Sequence, residues 1–291
     1  MLSLKKILVP TDFSQQAEYA FQAALQLGRI HDVEIQLVHV VDHSVGYLFT
    51  GHPIEQMTSP SQPDYLESWN QINEEAERRL QEQVSRQDIQ SYSLSYKVVW
   101  GNPYKGIAQQ ALEEQADLVV MGSKGASGME ELLIGSNAER MIRNAPVPVL
   151  VVKNPPTLDQ AHRLGFLSDL EAEEDTVLQN VLGLQALLNA ELHIARINTP
   201  HHFLSDQRVE EKLHALLEGH QMPGGYRFHH YSDHYQHEGI QHFVESYQID
   251  IIAMGTHGRK GMSHFLLGSL AEDIVNASTV PVFTVRIETK K

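Results

Sequence analysis

At 291 residues, 42% of them apolar, the chain has the length of about two domains, each able to bury a core of its own. Its formal charge of −15 argues against a nucleic-acid binder, which normally shows a basic face, and against docking to anionic lipid. The absence of cysteine excludes disulfides, thiolate metal sites and cysteine nucleophiles.

Met1 to Lys6 leads at once into the strand-like Ile7-Leu8-Val9, which is too short for a signal-peptide core. No apolar run approaches the roughly 18 residues of a membrane span, so a cytoplasmic protein is expected. Apolar, β-branched runs at 6–9, 34–41, 95–99, 118–121 and 147–152 predict five strands in the first half. Helical spacing predicts helices over 14–27, 68–84, 107–115 and 136–144, with Gly28 as the stop of the first. Residues 43–67, rich in Ser, Pro, Gln and Gly, read as an inserted loop over the sheet edge or over a site. Two prolines in Asn154-Pro155-Pro156-Thr157 then interrupt regular structure. Beyond them strands are predicted at 164–167, 191–197, 226–231, 251–254 and 281–285, with helices at 173–188, 209–217, 239–246 and 269–276. Alternating strands and helices imply right-handed crossovers and a parallel sheet covered on both faces. The expected architecture is α/β, with two tandem, doubly wound, five-stranded domains over 1–153 and 158–287.

The halves are copies. Gly122, Gly125, Gly128 and Gly135-Ser136 recur at identical spacing as Gly255, Gly258, Gly261 and Gly268-Ser269. Aligned without gaps, 122–152 and 255–285 are identical at 13 of 31 positions. The fronts correspond 157 residues apart, Ile7 to Asp12 with Leu164 to Asp169, and the offset falls to 133 at the back because of the insertion.

In an open parallel sheet, ligands sit beyond the carboxyl ends of the strands, where the winding reverses. After the first strand come Pro10, Thr11 and Asp12; after the fourth come Gly122-Ser-Lys124-Gly125 and then Gly135-Ser136-Asn137 at a helix start. Glycines let the backbone approach a phosphate, and a helix N-terminus offers unpaired N–H groups and the positive end of its dipole. Asp12 is an acceptor suited to a ribose hydroxyl or an adenine amino group.

Gly-x2-Gly-x9-Gly-Ser after a Met-ending strand, with Val-Pro-Thr-Asp near the N-terminus, resembles the universal stress protein family over essentially the whole chain, twice. The resemblance implies ATP or another adenine nucleotide, with Mg2+ as its companion. It implies adenine and ribose contacts from Pro10, Asp12, Val40 and Met121, with Thr11 beside them. It implies phosphate contacts from Gly122, Gly125, Gly135, Ser136 and Asn137, with Lys124 inside the glycine loop. The matching second set is Asp169, Ile197, Met254, Gly255, Gly258, Gly268 and Ser269.

The copies are not equivalent. Glu171 stands where the first half has Ser14, followed by Glu173, Glu174 and Asp175, and a carboxylate turned inward there would repel a triphosphate. Leu167 replaces Pro10, and nothing in the second half matches Gly101-Asn-Pro103; His257, Arg259 and Lys260 add donors near its glycine loop. The first site is therefore the expected working site. The histidine-rich segment 229–237 holds candidate zinc or nickel ligands, although neighbouring strand residues such as His229 and His230 point to opposite faces. No Walker loop, Gly-x-Ser-x-Gly or His-Glu-x-x-His occurs, which favours binding over turnover, with slow ATP hydrolysis left open. The fifth strand of each half is an apolar sheet edge, and the two edges are expected to pair antiparallel within the chain as a built-in pseudo-dimer. Further self-association and an unknown protein partner stay open. The rival readings are an interaction scaffold, or a binder of another hydrophobic or metal ligand in the second half, and an ATP-pyrophosphate-splitting ligase, whose Ser-Gly-Gly-x-Asp-Ser loop is not matched by Pro10-Thr-Asp-Phe-Ser14.

Overall fold

The computed structural model describes residues 2, 4–30, 32–42, 63–87, 92–125, 134–222, 224–257 and 267–287, without the side chains of 63–68, 257 and 267–270. In the first half, β1 (Lys6–Pro10), α1 (Gln15–Ile30), β2 (Glu34–Val41), α2 (Pro63–Ser85), β3 (Ser93–Trp100), α3 (Pro103–Glu113), β4 (Leu118–Gly122), α4 (Ser136–Asn144) and β5 (Val149–Val152) follow in order. The second half runs β6 (Arg163–Leu167), α5 (Asp175–Leu188), β7 (Glu191–Asn198), α6 (Asp206–Leu217), β8 (Tyr226–Ser232), α7 (Gln236–Tyr247), β9 (Ile251–His257), α8 (Leu267–Ala277) and β10 (Val282–Ile287). Short 3-10 turns at Leu158–Gln160 and Ala172–Glu174 precede β6 and α5.

All ten strands form one sheet in the order β3-β2-β1-β4-β5-β10-β9-β6-β7-β8. Pairing is parallel everywhere except at the centre, where β5 meets β10 antiparallel with Val151 opposite Val282 and Leu150 opposite Phe283. An apolar edge left unpaired is a liability, and each half covers the other's. The seam is reinforced by the buried Thr256 hydroxyl, which donates to Ile142 O at 2.8 Å, and by an ion pair between Arg143 and Glu272.

Alternation along the strands divides the interior into two cores. Ile7, Val9, Phe166 and Phe283 face α1, α2, α5 and α6, while Leu8, Val119 and Ile252 face α3, α4, α7 and α8. Both cores run unbroken across the seam, because the central strands are buried on both faces.

The differences from the sequence reading are informative. Gly28 does not stop α1, which runs on to Ile30. A Cβ at Gly28 would lie 2.9 Å from Ile35 Cδ1 and 3.3 Å from Tyr92 Cβ, so the glycine lets helix and sheet close together. The helix after the insertion begins at Pro63, inside the segment read as loop, and 43–62 lie outside the described residues. Strand β9 extends to His257, past the expected end at Met254.

Candidate functional site

In the first half, β1, β2 and β3 wind one way and β4 and β5 the other, so the crevice opens beyond β1 and β4. The loop after β1 is built by its own side chains. Phe13 N donates to Thr11 Oγ1 and Ser14 N to Asp12 Oδ1, both at 3.1 Å. Phe13 takes a left-handed backbone with φ 63°, an unfavourable state that the two side-chain acceptors hold in place. His39 on β2 bonds Thr11 O through Nδ1 at 2.8 Å, and burial pushes its pKa below the usual histidine value. Arg79 of α2 lies 4.1 Å from the centre of the Phe13 ring.

Between this loop and the start of α4 is a cavity of about 260 Å³. Every first-half residue singled out from the sequence lines it: Pro10, Thr11, Asp12, Val40, Met121, Gly122, Lys124, Gly125, Gly135, Ser136 and Asn137. Apolar Val40 and Met121 share the cavity with the oxygen and nitrogen donors of the loops. At the other end α4 begins behind Gly135, an N-cap with no side chain, and none among the described residues caps it. Its first N–H groups and dipole are thereby offered to the cleft. Gly135 N donates to Ser123 O at 2.8 Å, tying the helix start to the glycine loop. Lys153 lies close enough to Lys124 that, after burial, this like charge further lowers its pKa. Of the two, Lys124 lines the cleft, while Lys153 Nζ donates to Asn276 O at 2.7 Å.

The glycines divide by role. A Cβ on Gly125 would come within 2.5 Å of Asp12 Oδ2, so Gly125 leaves room for that carboxylate. A Cβ on Gly122 would meet the backbone of Gln16 at 2.7 Å. Gly122 is thus needed for β4 to pass the start of α1, and its absent side chain makes room for protein rather than for phosphate. Sequence reasoning missed Ala17, Val38, Ile107 and Ala138 in the lining, because apolar helix and strand positions read simply as core, whereas Pro103 belongs to the Gly101-Asn-Pro103 turn that set the first site apart. Pro103 opens α3 at its first turn, behind the Asn102 side chain that caps Lys105 N. Asp12 also faces a more open hollow of about 390 Å³ beneath α2, which nothing in the sequence announced.

The corresponding cleft in the second half has a volume of about 20 Å³, on the order of one water. Asp169, Ile197, Met254 and Gly255 line it as expected by position. Gly258 lies outside the described residues, as do Arg259 and Lys260, and Gly268 and Ser269 fall in the first turn of α8. The loop after β6 keeps the same left-handed turn, with Leu170 at φ 61°. Glu171 turns outward and pairs with Lys212 Nζ at 2.7 Å, so the condition under which it would repel a triphosphate is not met. The inward carboxylate belongs to Glu174, 5% exposed and part of the cleft lining. Burial, with Asp169 adding like charge, raises its pKa to about 7. Burial also raises Asp169 to about 6 against the pull of the buried Arg196.

In the histidine-rich segment, His229 stacks on His193 with ring centroids 5.1 Å apart, while His230 bonds Asp206 of α6 at 2.8 Å. Among the described residues no three His, Asp or Glu side chains gather to hold a metal ion. Among the same residues no helix is long and apolar enough to cross a membrane.

Fold and crevice together define a duplicated, doubly wound α/β protein with its openings beyond the strand ends. The sequence model of the universal stress protein family matches residues 3–153 and 163–286, and the chain belongs to that family. It is 36% identical over 155 residues to a universal stress protein of Methanocaldococcus jannaschii, covering 52% of this chain and 83% of that one. A second universal stress protein of that organism is 30% identical, over 51% of this chain and 94% of its own. The crystal structure of a universal stress protein from Archaeoglobus fulgidus covers 97% of this chain and 98% of its own with a TM-score of 0.68; at 24% identity this is a likeness of fold.

Proposed function

We propose that the first half binds ATP or a related adenine nucleotide and that the protein works as a stress-response or signalling module whose conformation or partner affinity the nucleotide sets. The observation that carries this is the single cavity of about 260 Å³ joining an apolar slot, a carboxylate and an uncapped helix start. Val40 and Met121 flank the base, Asp12 accepts from ribose, and the phosphates meet the N–H groups of Gly125 and the start of α4 beside Lys124. Thr11, Asp12, Ser136 and Asn137 line the cleft and would supply the oxygen ligands for a Mg2+ ion accompanying the phosphates. Among the described lining residues there is no histidine, and the Asp12 carboxylate already holds the β1 loop through Ser14 N, which supports binding over rapid turnover.

The test is mass spectrometry of whatever the denatured protein releases, joined to calorimetric titration with ATP, AMP and adenosine. Bound adenine nucleotide, with affinity reduced roughly ten- to a hundredfold in Asp12→Ala, supports the reading. No nucleotide released and no heat with any of the three ligands sinks it.

A further inference from the structure

We propose that Glu174 is a built-in plug that keeps the second half from taking the ligand of the first, so the chain carries one working nucleotide site and one latent one. This rests on the nucleotide reading of the first cleft, and it assigns the decisive difference between the halves to one side chain.

The duplication supplies its own control. Residue for residue, Glu174 stands where the first half has Ala17, and both line their cleft. Much of the frame around them is shared: Asp12 and Asp169, Ile107 and Ile240, Met121 and Met254 occupy matching places. The loop backbone is shared too, since Phe13 and Leu170 have nearly the same positive φ. What changes is the occupant. At Ala17 a methyl group leaves the cleft open. At Glu174 a carboxylate reaches in and is gripped by the loop itself. It accepts the Ser168 hydroxyl, Leu170 N at 3.1 Å, Glu171 N at 3.4 Å and, more weakly, Asp169 N at 3.5 Å.

Three successive backbone N–H groups converging on one anion form a nest of the kind that holds anionic ligands. Here the chain supplies the anion. Glu174 also closes a capping box with Glu171 at the start of the 3-10 turn, so the plug is fastened to local structure. Leu167 for Pro10 and Gln236 for Pro103 narrow the cleft a little more, whereas Ala195 for Val38 widens it. Among the described lining residues Glu174 alone is an ionisable side chain with no counterpart in the first cleft, and it fills the space beside Asp169 that a ligand would enter.

The experiment is calorimetric titration of the full chain with MgATP, comparing wild type, Glu174→Ala and Glu174→Gln. The expected stoichiometries are one in the wild type, two in Glu174→Ala, and one in Glu174→Gln, whose amide fills the same space. Near-ultraviolet circular dichroism verifies packing. If the alanine variant unfolds, Glu174→Ser empties the cleft while keeping a hydroxyl for the loop, and two sites are expected there. One site in both wild type and the shortened variant overturns the plug, as do two sites in the wild type. No heat with any protein removes the nucleotide reading itself, and the plug with it.

Discussion

The two halves share strand order, loop backbone and the lining residues Asp12/Asp169, Ile107/Ile240, Met121/Met254 and Gly122/Gly255, yet the described residues of one enclose about 260 Å³ and those of the other about 20 Å³. The open half places an alanine at the third position of its first helix; the closed half places a glutamate in the matching turn. A duplicated fold can therefore keep its scaffold and lose a site by one side chain, because the scaffold's stability resides in the two continuous cores and not in the cleft. The charges under the loops diverge in step. His39 lies under the open one, held below its usual pKa by burial, while Arg196 takes the matching place in the closed half and pulls on Asp169.

The strongest way to break the comparison is to attack what both halves rest on. Phe283 is fully buried on β10, opposite Leu150 of β5. Phe283→Ala should cost about 3–5 kcal/mol in chemical denaturation, through lost burial and a cavity at the seam. A loss under about 1 kcal/mol would mean that the halves do not depend on their shared sheet.

Exchanging the occupant in the other direction comes next. Ala17→Glu places the second half's carboxylate in the first cleft, where the turn at Phe13 matches the turn at Leu170. ATP affinity should fall by about a hundredfold or more, roughly 3 kcal/mol, with the fold retained. Unchanged affinity would show that the ligand does not pass Ala17. A smaller and more selective effect is expected for Lys124→Ala: roughly a tenfold loss for ATP, worth about 1.4 kcal/mol, and little change for adenosine. Equal losses for both ligands would place Lys124 away from the phosphates.

The smallest effect is a pH slope. Glu174 and Asp169 titrate near 7 and near 6, above their ordinary values of 4.5 and 3.8. Their folded forms hold protons more tightly than their unfolded forms. The stability they contribute is therefore fully present below about pH 4 and is lost as pH rises through 6 and 7. Glu174→Gln removes part of this dependence. Its Tm relative to wild type should climb between pH 5 and pH 8, and a flat difference would show that Glu174 does not titrate in that window.

Repeats, strand alternation and the first-half cleft could be read from the chain because each depends on local spacing. Gly125 and Asp12 were legible for the same reason: a glycine loop and an acceptor each follow a strand, and the winding rule brings those strand ends together. The roles of Gly122 and Gly28 were not, since each packs against a segment that sequence spacing does not place, the start of α1 in one case and Ile35 with Tyr92 in the other. Among the second half's acidic residues, the sequence singled out Glu171, because it replaces Ser14, and not Glu174. The turn after β6 decided between them by sending Glu171 out to Lys212 and Glu174 into the loop.

By itself, then, the sequence determined the duplication, the parallel α/β class and the positions around the first cleft, because hydrophobic period and glycine spacing are properties of neighbouring residues. The antiparallel pairing of the two fifth strands was expected from their apolar edges as well, and β5 meets β10 in that way. Only the tertiary structure decided that the second cleft is filled from within. That depends on which side chain a turn aims inward and what stands opposite it, and distance along the chain carries no record of either.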